Sequence, residues 1–195
     1  MMEKIFHSEV AFVSQLMMCK SMAEGVRPYP LHEDYYIRNF HETEEEIAAW
    51  VEICKNGLFG PDAGREGYVS SITNMAGLTP ERDIFMVCER ETDRPVATIT
   101  GFVRPDGAGD IHMVAAIPEV RGKKIGHAML AHALEKLSRD GVSKVYLTTD
   151  EWRKPAIKNY LTAGFHPVEY DVGMPERWAG VFAEMGIEPV PLQKL

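Results

Sequence analysis

The spacing of apolar residues changes from segment to segment along the chain, and each change marks an element. Over residues 8–23, Phe12, Val13, Leu16, Met17 and Met18 follow Ser8 at a spacing that predicts a helix, and Gly25, Pro28 and Pro30 end it. Tyr35 to Phe40 reads as a first strand. Thr43-Glu44-Glu45-Glu46 reads as a capping box, in which the threonine and the last glutamate each satisfy orphan backbone amides, with Ile47, Trp50, Val51 and Cys54 following at helical spacing. After glycines and Pro61 a second helix is expected around Gly67 to Met75. Ile84 to Glu89 and Val96 to Val103 are apolar and partly β-branched, and the polar turn Glu91 to Pro95 joins them as a hairpin. Pro105-Asp106-Gly107 is another turn, leading into a strand over Asp110 to Ile117.

The period then switches to that of a helix. Ile125, Met129 and Ala133, with Leu130, Leu134 and Leu137, form an apolar stripe that Asp140-Gly141 terminates. Val145 to Thr149 is a strand. Pro155 to Ala163 is a helix, with proline near its first turn and Gly164 past its end. Phe165 to Tyr170 is a strand that Pro167 confines to an edge or a bulge, and residues 175–185 form a last amphipathic helix. A helix between consecutive strands requires a parallel crossover. The order therefore implies a single α/β domain with a mixed, mostly antiparallel central sheet flanked by helices. The expected organisation is an N-terminal helical extension over 1–34, a core over 35–172 and a C-terminal helical extension over 173–195.

Composition narrows the function. A net charge of -8 lacks the clustered basic face that phosphate-backbone binding needs, so nucleic acid is not an expected partner. No apolar run is long enough to span a membrane, and the chain opens without a basic leader. Cys19, Cys54 and Cys88 are far apart, with no zinc spacing, and read as thiols in a reducing compartment. A cytoplasmic protein without a metal follows, and the expectation for assembly leans towards a homodimer.

The segment Ile117 to Ala128 lies between a strand and the long helix. Such a turn aims unpaired N–H groups at one point on the positive end of the helix, which suits a pyrophosphate. Gly122 and Gly126 would let phosphate oxygens come close to the backbone. The segment has neither the Gly-Lys-Ser/Thr ending of a nucleotide P-loop nor a GxGxxG fingerprint.

Together with Ala156-Ile157-Lys158-Asn159-Tyr160-Leu161-Thr162-Ala163-Gly164-Phe165, this segment resembles the GCN5-related N-acetyltransferase (GNAT) family. Arg121 to Ala128 is similar to the family's Arg/Gln-x-x-Gly-x-Gly/Ala acyl-CoA loop, with Lys124 where the first loop glycine is usual. The second segment is similar to its Ala-Ile-x-x-Tyr-x-x-x-Gly-Phe stretch. The resemblance covers roughly residues 35–172.

It implies direct transfer from acetyl-CoA to an amine of a small molecule or peptide. Acetyl-CoA would enter where the strand over 110–117 parts from the next one. Backbone groups of Val114 and Ala116 would pair with the pantetheine arm, with the Val114 N–H as oxyanion donor. The amides of Gly122, Lys123, Lys124, Ile125, Gly126 and His127 would hold the pyrophosphate, Arg121 and Lys123 adding charge. Tyr160 would protonate or stabilise the leaving thiolate. Strand alternation places Asp110 and His112 on the same face as Val114 and Ala116, which makes both candidates for the base that deprotonates the amine. Trp152 could edge the acceptor cleft. Two other roles stay open: an acyl-CoA-binding module without catalysis, and a partner-binding protein using residues 8–23.

Overall fold

The computed structural model describes residues 14–194. Eight strands form one sheet in the order β2-β3-β4-β5-β6-β1-β7-β8. They are β1 (Leu16–Ser21), β2 (Tyr35–Asn39), β3 (Ile84–Glu89), β4 (Pro95–Val103), β5 (Gly109–Ala116), β6 (Lys144–Thr149), β7 (His166–Glu169) and β8 (Gln193–Lys194). The helices are α1 (Glu44–Cys54), α2 (Arg65–Tyr68), which runs on as a π turn over Val69–Thr73, α3 (Pro80–Asp83), α4 (Ile125–Arg139), α5 (Lys154–Thr162) and α6 (Met174–Met185). The β5–β6 and β7–β8 pairs are parallel and the others antiparallel, as a mixed, mostly antiparallel sheet requires. No helix among the described residues is long and apolar enough to cross a membrane.

The expected N-terminal helix is not found over the described part of its span. Leu16 to Ser21, assigned from the sequence to a helix, is a strand inserted between β6 and β7, with Leu16 opposite Thr149 and Cys19 opposite both Tyr146 and His166. Ser8, Phe12 and Val13 lie outside the described residues. A strand covered on both faces is apolar at nearly every position, so its sequence has no period of two to read. Leu16, Met18 and Cys19 are all buried here. The capping box is also only half made. Thr43 Oγ1 accepts from the Glu46 amide at 3.3 Å, but the Glu46 carboxylate takes the His41 amide and Arg38, at 2.5 Å, and not the Thr43 amide.

Two core clusters cover the two faces of the sheet. The inward residues of α4, α5 and α6, among them Met129, Leu134, Ile157 and Trp178, pack with Val87, Ile99 and Ile111. Ile47, Trp50 and Tyr68 of α1 and α2 pack with Ile84, Met86, Met113 and Ala115. Ile111 and Met113 thus face opposite sides, although alternation would keep them together. The cause is a β-bulge. Thr98 pairs with Ala115 and Thr100 with His112, so one residue of β4, Ile99, opposes two of β5, Met113 and Val114, and Met113 takes a positive φ of 49°.

Helix α4 is held against β4 by close packing and by charge. A Cβ at Gly101 would stand 3.2 Å from the Ala133 side chain, so the helix lies near the sheet. The buried Lys136 donates to the Asp83 carboxylate and, at 3.0 Å, to the Gly101 carbonyl. Burial acts to raise the Asp83 carboxyl. Hydrogen bonds from Arg82, Lys136 and the Thr79 amide override it and hold the group below the ordinary carboxylate range.

The helix begins at an unusual residue. Lys124, its N-cap, is left-handed (φ 59°, ψ 18°) and makes no side-chain cap. A side chain in that region costs about 1–2 kcal/mol, and glycine carries no such cost. Glycine also gains more freedom in the unfolded chain, which offsets part of the difference. Lys124→Gly is therefore expected to raise stability by about 0.5–1 kcal/mol, measured as a higher urea midpoint at unchanged m-value.

Candidate active site

The bulge and the strand register open the sheet at one place. The parallel ladder of β5 with β6 runs only from Gly109 opposite Val145 to Ile111 opposite Leu147. Beyond it, Thr148 and Thr149 stay with β1, and Ala115 and Ala116 stay with β4. Val114 pairs with neither neighbour. Past Ile111 the two strands therefore lead to different partners, and a gap opens at the centre of the sheet.

A cleft of about 760 Å³ occupies the gap. Val114 and Ala116 line one wall, Asn159 and Tyr160 of α5 another, and the turn before α4 closes the end. In that turn the amides of Lys123 and His127 are spent, on the carbonyls of Val120 at 3.4 Å and Lys124 at 3.0 Å. Those of Gly122, Lys124, Ile125 and Gly126 have no backbone partner among the described residues. Four unfilled donors at a helix start, with Arg121 beside them and unpaired among the described residues, make an anion site. Gly126 keeps it open, since a Cβ there would stand 3.2 Å from Asn159 Nδ2. Asn159 is buried with its Oδ1 unpartnered, a polar group that a bound amide could satisfy. These features fit the phosphate and amide groups of an acyl-CoA.

A second cleft, about 240 Å³, adjoins the first and shares Gly57, Val114, Arg153 and Tyr160 with it. Leu58 and Phe59, after α1, and Ser71, after α2, close its outer side. Tyr160 is 3% exposed, and burial pushes its phenol up to about 12, against the charge of Arg153. The Arg153 guanidinium donates to the Gly57 carbonyl at 2.7 Å and lies 5.2 Å from the Trp152 ring.

The structure brings most of the expected residues to these clefts but not all. His112 lines the second cleft, its Nε2 2.9 Å from the Ser71 carbonyl. That carbonyl can only accept, so Nε2 carries the proton and Nδ1 is the basic nitrogen. Burial lowers the pKa of His112 and keeps the ring neutral at pH 7.

Asp110 stands outside both clefts, 3.7 Å from Arg104, and burial raises its carboxyl to about 7. The expected single face for Asp110, His112, Val114 and Ala116 is corrected by the bulge at Met113, which turns the last two to the α4 side. Lys123 is likewise corrected: its Nζ donates to the Tyr35 hydroxyl at 2.5 Å, and neither its charge nor its amide serves the cleft. Lys124 offers its amide from a left-handed backbone. His127 lines the cleft through its ring, 4.9 Å from that of Tyr29. Trp152 is 64% exposed on the rim of the larger cleft. Asn159, Arg153 and Gly57 were not singled out from the sequence. Asn159 could have been, since it precedes Tyr160 on the same helix.

Comparisons with known proteins identify the family. The model of the Acetyltransferase (GNAT) family matches residues 18–165. A mycothiol acetyltransferase of Sanguibacter keddieii is 27% identical over 165 residues, 79% of this chain and 50% of that protein. One of Brachybacterium faecium is 34% identical over 154 residues, 74% of this chain and 45% of that protein. The chain spans about half the length of these curated relatives. The crystal structure of a GCN5-related N-acetyltransferase from Sphaerobacter thermophilus superposes with a TM-score of 0.65 at 24% identity, over 78% of this chain and 47% of that one. The parted parallel strands, the open-ended turn before α4 and the tyrosine of α5 fall within the matched span, and the chain belongs to the GCN5-related N-acetyltransferase family.

Proposed function

We propose that the protein moves an acetyl group from acetyl-CoA to a primary amine of a small molecule, with both substrates bound together. The observation that carries this is the meeting of two clefts at Val114 and Tyr160, each residue lining both. A direct transfer needs donor and acceptor to reach one point from different sides. The curated relatives are named for mycothiol, a small molecule, which favours a small acceptor over a protein.

Acetyl-CoA supplies an activated acetyl thioester. The amides of Gly122, Lys124, Ile125 and Gly126, with Arg121, hold its pyrophosphate. Unpaired backbone at Val114 and the edge at Ala116 receive the pantetheine arm, and the Val114 N–H is the donor for developing negative charge on the carbonyl oxygen. Tyr160 presents a phenol that stays protonated across the physiological range. A thiolate has a reference pKa of roughly 8.5, so complete transfer from Tyr160 is uphill. The phenol therefore stabilises the leaving sulfur as a hydrogen-bond donor, and its proton moves only as another arrives from the reacting amine. That amine, with a pKa near 10 when free, must lose a proton first. His112 Nδ1, on a neutral ring, is the acceptor nearest that task. Asp110 is not, since it lies outside the clefts.

Calorimetric titration with acetyl-CoA tests the donor. Wild type is expected to bind at micromolar affinity and Gly126→Trp to show no heat, because the indole fills the anion site. Binding with no turnover on any amine would leave only an acyl-CoA-binding module. Tyr160→Phe should keep acetyl-CoA affinity within about twofold and lower kcat by roughly 10²–10⁴.

Asp110 gives a pH signature of stability. Its folded pKa of about 7 lies above its unfolded value, so stability from the protonated group is full at acid pH. It is lost as pH climbs from about 4 to about 7. Asp110→Asn should flatten that slope and stabilise the protein at pH 8 by on the order of 1–3 kcal/mol, measured by denaturant unfolding across pH.

A further inference from the structure

The second cleft holds one carboxylate that no structural partner neutralises. Asp150 follows β6 directly, where that strand has parted from β5. Its Oδ1 accepts from Gln15 Nε2 at 3.0 Å, and it forms no ion pair among the described residues. Neither nearby cation pairs with Asp150, although Arg153 also lines the cleft. Arg153, three residues on, gives its guanidinium to the Gly57 carbonyl and the Trp152 ring. Arg177 pairs with Glu151, the next residue, at 2.5 Å. Asp150 is the sole carboxylate among the residues lining this cleft, which also contains His112, Tyr160 and the unpaired backbone of Val114.

Resting on the N-acetyltransferase reading, we propose that Asp150 is the specificity-determining residue of the acceptor site, and that it selects acceptors whose reactive amine arrives as a primary ammonium. An alkyl amine reaches the protein protonated. A half-buried carboxylate with a free oxygen attracts that form and repels acceptors that carry an anionic group beside the amine. Gln15 holds the carboxylate in place without cancelling its charge. The Asp150 interaction is made in the ground state, so its loss appears in KM and not in kcat.

The test compares wild type and Asp150→Asn with three amines (ethanolamine, glucosamine and putrescine) and with acetohydrazide, a nucleophile uncharged at pH 7. Asp150→Asn should raise KM for each amine roughly 10- to 100-fold, change kcat less than about threefold, and leave KM for the hydrazide and acetyl-CoA affinity by calorimetry unchanged. Asp150→Glu should recover most of the loss. In wild type, KM for the amines should rise with ionic strength while that for the hydrazide stays level, a measurement that needs no variant to fold. Wild-type KM for the amines in Asp150→Asn, or a loss that the hydrazide shares, overturns the proposal and leaves the acetyltransferase reading standing. Failure of wild type to bind acetyl-CoA, or to acetylate any of the amines, brings down both.

Discussion

The site depends on one interruption of backbone pairing. A sheet keeps neighbouring strands in contact as long as each residue finds its partner. Between His112 and Ala115 the β4–β5 register slips by one residue at Met113. That single extra residue releases Val114 from β4, and the β5–β6 ladder has already ended at Ile111. A left-handed φ at a methionine costs free energy of order 1 kcal/mol. It persists because Met113 and Ala115 are packed under α1 while Ile111 is packed under α4, so the two cores hold the slip from opposite faces. The cleft is therefore a product of two well-packed layers and does not need a loose region to exist.

The second element is partial positive charge supplied by backbone amides. The turn before α4 presents amides, and a left-handed residue at the helix start leaves the first turn uncapped. A serine or aspartate cap would have filled one of those donors. Close packing of α4 on β4 at Gly101, with Lys136 tied to Asp83, fixes where the donors point. Stability elements far from the cleft thus set the geometry of its anion end.

Much of this was legible in the sequence because the relevant signals are local. The hairpin of β3 and β4, the long stripe of α4 and the proline–glycine bracket of α5 each report their own backbone, and all three were found where expected. The glycine-bearing turn and Tyr160, which line the larger cleft, lie in segments readable for the same reason. What failed was non-local. Leu16 to Ser21 shows its strand character only through β6 and β7, which lie more than a hundred residues away along the chain. Asp110 and Lys123 were placed by alternation and by proximity to the turn, and neither rule knows of a bulge at Met113 or of the Tyr35 hydroxyl. Arg153 and Gly57 meet only in the folded protein. The second cleft, built from separate segments, was accordingly the least readable part.

The three tryptophans divide sharply by environment. Trp50 and Trp178 are 0% exposed in the two cores, whereas Trp152 stands 64% in solvent at the rim of the larger cleft with Arg153 against its ring. Two indoles lie in apolar surroundings and line neither cleft, and one stands in the doorway. The molecule thus carries a built-in optical reporter: a change in its long-wavelength emission reads the occupancy of the doorway, and the buried pair supplies a constant internal reference.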